Sequence, residues 1–110
     1  MRTSFFYLIG EIMIHTRLCD LLSINHPILN APMGGTAIGA LAAAVSNAGG
    51  FGMIGGTSGG GPDWLRTQIR TAGDKTARPF GVGFISSFPG IDDLVQVALD
   101  HVLARLQRVD

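Results

Sequence analysis

The chain has 110 residues, of which 46% are hydrophobic and only 15% charged, with 16 glycines. That length and apolar content fit one packed domain and exclude a disordered chain, which could not bury enough apolar surface to offset its ordering entropy. Eight basic against eight acidic residues leave no basic face for nucleic acid, and a lone cysteine, Cys19, can form no internal disulfide, which points to a reducing cytoplasm.

The first segment, MRTSFFYLIGEIMI, begins with Arg2 and a short apolar run, Phe5–Ile9. Glu11 interrupts the run and no small-residue cleavage site follows, so it does not read as a signal peptide. It also falls far below the ~20 apolar residues that span a bilayer. Residues 1–15 therefore read as an extension ahead of the domain, with Met13 an alternative start.

Thr16–Leu22 reads as a short helix or turn leading into the fold. HPILNAPM predicts a first strand, with Pro27 at its start, Ile28–Leu29 as its apolar run and Ala31-Pro32-Met33 at its end. A helix follows, its stripe formed by Ile38, Leu41, Ala42 and Val45. Thr36 is placed to cap its start, and Gly49 or Gly50 suits the left-handed residue past its end. The small residues Ala40–Ala44 would let this helix lie close on a sheet.

Phe51–Ile54 predicts a second buried strand, ending in the loop GGTSGGG. Pro62 suits the first turn of the next helix, over Asp63–Thr71 with Trp64, Leu65, Gln68 and Ile69 along it, and Gly73 is placed to end it. Phe80–Ile85 predicts a third, uncharged strand. A long helix then runs from about Ile91, with apolar positions Ile91, Val95, Ala98, Val102 and Leu106 and with Asp92 and Asp93 at its positive end.

The order β-α-β-α-β-α, with strands apolar throughout, implies an α/β fold with a parallel sheet covered by helices. On this pattern alone the sheet is either open and doubly wound or an arc of a (β/α)8 barrel. In both, the ligand site lies at the C-terminal ends of the strands, where the glycine-rich clusters fall. Gly50-Phe-Gly52-Met-Ile-Gly55 formally matches G-x-G-x-x-G, yet these glycines enclose a strand and do not open a helix, so the dinucleotide reading fails. GGTSGGG lacks the Lys and Ser/Thr of a P-loop.

Three pieces, TRLCDLLSINHPILNAPMGG, LAAAVSNAGGFGMIGG and RPFGVGFISS, occur in an order and spacing that resembles the N-terminal part of the nitronate monooxygenase (2-nitropropane dioxygenase) family, over about residues 16–88. The FMN-dependent enoyl-acyl-carrier-protein reductases share the same opening. The resemblance implies an FMN-binding TIM barrel, of which residues 16–110 would be the first three β-α units. It implies oxidation of an alkyl nitronate with O2, with enoyl-thioester reduction as the alternative activity.

Ala31, Pro32 and Met33 would end the first strand beside the flavin ring, with Gly34 and Gly35 permitting close approach. Gly55 and Gly56 would end the second strand at the same mouth. Gly83 would contribute from the third, at a position where many relatives carry Asn. Read on residues alone, these glycines are turn residues and Met33 fills a core gap. His15, His26 and His101 share no constellation, Cys19 reads as a small buried hydrophobe, and no metal-ligand or catalytic set is visible.

A whole barrel needs eight strands and ~250 residues. The resemblance puts the catalytic His and the phosphate-binding loops in the second half, and where a fourth strand would come, HVLARLQRVD keeps a helical pattern with Arg105 and Arg108. The chain thus reads as a truncated member, expected to be inactive alone, or as a non-catalytic remnant or assembly partner that completes a barrel by association. Each large apolar side chain left in water forfeits ~1.5–3 kcal/mol, against the ~5–15 kcal/mol by which a domain is stable. Marginal stability, aggregation or self-association is the expectation.

Overall fold

The computed structural model describes residues 14–108, with side chains to residue 104. The Phe5–Ile9 run, the alternative start at Met13 and the side chains of Arg105 and Arg108 lie outside the described residues. The elements are α1 (Arg17–Leu22), α2 (Gly39–Asn47), β1 (Gly52–Gly55), α3 (Gly61–Lys75), β2 (Phe80–Gly83) and α4 (Ile91–Arg108). Strands β1 and β2 pair in parallel, from Gly52 opposite Phe80 to Gly55 opposite Gly83. The chain is therefore a small α/β fold on a parallel sheet.

The expected first strand shrinks to one parallel bridge, Leu29 to Phe51. Its one regular bond runs from the Phe51 amide to the Ile28 carbonyl, 2.9 Å. At the next position the side chain of Asn30 takes over the pairing with β1, so no backbone ladder continues. Pro27 and Pro32, which lack an N–H, flank the bridge and give a longer ladder nothing to donate there. Two strands and a bridge thus stand where the sequence predicts three strands.

Helices α2, α3 and α4 share one buried core with the strands. Ile54, Leu65, Ile69, Ala72, Leu94 and Val97 form the buried core with Ala42, and Phe80 and Val82 pack against it. In α2 the buried residues are Gly39, Ala42, Ala43 and Ser46, the smallest side chains, and not the expected Ile38, which is 37% exposed. The reason is close approach: a β-carbon at Gly52 would fall on the backbone of Ala42. Only glycine under an alanine helix permits that distance. In α4 the buried pair is Leu94 and Val97, while Val102, expected inside, stays 51% exposed.

Two helix ends also differ from expectation. The residue capping α2 is Ile38, without a side-chain cap; the amide of Gly39 instead donates to Gln68 Oε1 of α3, 2.9 Å. Docking on α3 does what Thr36 was expected to do. Helix α3 passes through Gly73 and stops at Thr76, whose amide donates to the Ala72 carbonyl. Gly73 is where α4 comes near, the His101 ring lying 3.9 Å from its would-be β-carbon. By contrast Gly49, with φ +101°, takes the left-handed conformation past α2 as expected.

Polar bonds tie the N-terminal ends of the strands together. The buried Ser46 hydroxyl donates to the Pro79 carbonyl (2.7 Å) and accepts from the Gly52 amide (2.9 Å), bridging the entries to β1 and β2. Asn47 donates to the Lys75 carbonyl and accepts from the Thr76 hydroxyl. The Ser-Asn pair ending α2 is a fastening of the scaffold. Cys19 is 2% exposed, the small buried hydrophobe expected.

Candidate functional site

Past Leu29 the chain leaves the sheet and turns over the C-terminal ends of both strands. The turn is built on the Met33 carbonyl, which accepts from the amides of Thr36 (3.2 Å) and Ala37 (2.7 Å). The Ala37 carbonyl then accepts from the Gly55 amide, 2.8 Å, which pins the returning chain to the end of β1. Asn30 holds the outgoing chain. Its Nδ2 donates to the carbonyls of Met53 (2.9 Å) and Ala31 (3.0 Å), and its Oδ1 accepts from the Met53 amide (2.9 Å).

The candidate residues of the sequence converge here. Ala31, Pro32, Met33 and Gly34 are consecutive and exposed, Met33 at 43%. Gly55 is buried directly beneath them: its would-be β-carbon lies 2.7 Å from the Met33 carbonyl oxygen and 3.1 Å from the Gly34 nitrogen. Gly83 is half-buried beneath Pro32, whose ring fills the space a side chain would take. Gly34 itself has ordinary room, with Ser58 Cα 3.5 Å from its would-be β-carbon. So four candidates form a displayed segment, and two form the floor on which it rests. Gly56 joins the floor, its amide donating to the Gly83 carbonyl at 2.8 Å.

No charged residue occurs from Pro27 to Pro62 or from Phe80 to Ile91, so the segment meets whatever lies on it with main chain and small apolar groups. The carboxylates that directly follow these two uncharged stretches stand in the first turns of α3 (Asp63) and α4 (Asp92, Asp93). They occupy the positive ends of those helices, where an anion would otherwise be favoured. Among the described residues, no group of three or more His, Cys, Asp or Glu could hold a metal. No described helix is long and apolar enough to cross a membrane.

Two concave surfaces lie away from this mouth. One, of about 520 Å³, runs between α3 and α4 past Arg66, Arg70, Asp74 and Asp100. The other, about 280 Å³, lies between β2 and α4 along Phe80, Val82, Leu99 and Val102. Two residues of consequence were not singled out in the sequence, Asn30 and Ser46, and Gln68 was placed along its helix without its part in holding Gly39. An Asn at the end of an apolar run just before Ala-Pro is a readable signal for the first, because a carboxamide can stand in for a peptide group.

The family profile described as nitronate monooxygenase matches residues 15–106. A nitronate monooxygenase of Pseudomonas aeruginosa is 46% identical over 77 residues, 70% of this chain and 22% of its own length. One of Paraburkholderia phytofirmans is 41% identical over 76 residues, 69% of this chain and 20% of its own. The solved structure of FabK from Thermotoga maritima superposes with a TM-score of 0.76 at 46% identity, over 81% of this chain and 28% of that one. The chain thus spans about a fifth of the curated relatives it matches. On the strength of the match over residues 15–106, the chain belongs to the nitronate monooxygenase family.

Proposed function

We propose that residues 16–110 form one wall of an FMN-binding barrel, with the main chain of Ala31, Pro32, Met33 and Gly34 lying against the flavin ring. The observation that carries this reading is the exposed, uncharged Ala31–Gly34 segment, supported from below by Gly55 and Gly83 at the C-terminal ends of parallel strands. In parallel α/β folds ligands bind at those strand ends. A flat aromatic ring needs small, uncharged neighbours, and this segment provides them.

The fit extends to the ring and not to the phosphate. Asp63, Asp92 and Asp93 stand at the helix starts that a phosphate would use, so those helix starts offer the phosphate no site. Bound flavin would supply the electron acceptor for an alkyl nitronate and the reaction with O2. The chain's own part is to position the ring: Gly55 and Gly83 let the segment settle on the strands, and Asn30 fixes its departure from the sheet. No side chain of the segment carries a proton for transfer.

The test is addition of FMN to the 110-residue polypeptide, followed by gel filtration and a visible spectrum. Stoichiometric retention with a perturbed flavin band is expected; free flavin eluting alone overturns the reading for this chain. A second reading, enoyl-thioester reduction, has the 46% identity to FabK on its side. Assay with an alkyl nitronate against assay with a nicotinamide and an enoyl thioester separates the two.

A further inference from the structure

We propose that Asn30 is a positioning residue for the flavin-facing main chain, acting through its carboxamide clamp on Met53. The proposal rests on the flavin reading above. In a regular parallel strand the backbone of Asn30 would pair with β1. Here the carboxamide does so, accepting from the Met53 amide and donating to the Met53 carbonyl, both at 2.9 Å. The side chain of Asn30 is therefore what joins this chain to Met53 just before Ala31.

The same Nδ2 uses its second proton on the Ala31 carbonyl, 3.0 Å, which also accepts from the Met33 amide at 2.8 Å. That carbonyl dipole is thus fixed in direction beside the displayed segment. A fixed dipole next to a redox-active ring biases its electron affinity, because a pre-oriented group needs no reorganisation when charge develops. No other side chain reproduces all three bonds: Asp lacks the donors, Leu lacks every polar atom, Ser is too short, and Gln adds a methylene. Residues elsewhere in the scaffold tie backbone to backbone in the same manner, Ser46 at the strand entries being the example. Asn30 differs in that one of its three bonds ends on Ala31, the first residue of the candidate site.

The experiment compares Asn30→Leu, Asn30→Asp and Ser46→Ala in the 110-residue chain. It uses amide hydrogen exchange, backbone chemical shifts, and the band position and reduction potential of added FMN. In Asn30→Leu the Met53 amide should exchange faster by about tenfold relative to neighbouring β1 amides. The shifts of Ala31, Met33 and Gly34 should move, and the flavin band and potential should change. Asn30→Asp keeps the acceptor, so Met53 protection should persist while the potential still changes; this variant carries the test if Asn30→Leu does not fold. Ser46→Ala should lower stability without moving the loop shifts or the potential. Loop shifts and potential unchanged in both Asn30 variants, or changed equally by Ser46→Ala, overturn the proposal. Failure of the unaltered chain to retain FMN overturns the flavin reading instead, and the exchange and shift data then decide the positioning role alone.

Discussion

The backbone of Gly83 lies directly beneath the pyrrolidine ring of Pro32: a β-carbon placed on Gly83 would sit 2.5 Å from the ring's Cβ. The two residues lie 51 positions apart in the chain, and their contact closes the loop after Leu29 onto the end of β2. Together with Gly55 beneath Met33, it makes the exposed Ala31–Gly34 segment a supported surface and not a free loop.

Gly83→Ala should therefore lift Pro32 off the strand. Because Pro32 is exposed and can shift, the expected cost is about 1–2 kcal/mol, the lower part of the range for overpacking. Urea denaturation reads the cost, and the chemical shifts of Met33 and Gly34 read the displacement. An unchanged midpoint with unchanged shifts would contradict the contact.

Gly52→Ala should be far more damaging. The added β-carbon would fall on the backbone of Ala42, at the closest approach of α2 to β1. Backbone cannot yield as a side chain can, so a loss of about 3 kcal/mol or more is expected. Loss of the cooperative thermal transition, or failure to accumulate as soluble protein, is the readout.

Ser46→Ala should cost about 1–3 kcal/mol, because it strands the buried Gly52 amide and removes the partner of the part-buried Pro79 carbonyl. The change removes one oxygen and opens almost no cavity, so the loss reports hydrogen bonding alone. Chemical denaturation measures it. A loss no larger than that of an exposed control such as Thr67→Ala would show that water reaches the site.

The 110-residue polypeptide should associate with itself. Leu29 and Ile85 beside the strands, and Leu99, Val102 and Leu103 on α4, are between 42% and 60% exposed. Large apolar side chains left in water at these two places favour association. Sedimentation should show mass rising with concentration, and Leu99→Lys with Val102→Lys should reduce it. A monomer at all concentrations with a sharp thermal transition would refute the expectation.

By itself the sequence determined the alternation of helices and strands, the parallel sheet, the family and the mouth where the candidate residues gather. These are legible because each rests on local information: apolar runs, glycines at strand ends and short motifs with fixed spacing. The failure of the dinucleotide reading was legible too, since Gly52 and Gly55 bound a strand. Only the tertiary structure decided how the site is supported. Nothing local reveals that Gln68 would cap α2, that the alanines would turn inward in preference to Ile38, or that α3 would continue through Gly73. Each depends on a partner in another element, from ten residues away (Gly52 against Ala42) to 29 (Gln68 against Gly39). The first strand shows the division most clearly. Its apolar run predicts a ladder, but whether backbone or the Asn30 side chain meets Met53 depends on which set of hydrogen bonds the packed neighbours leave within reach.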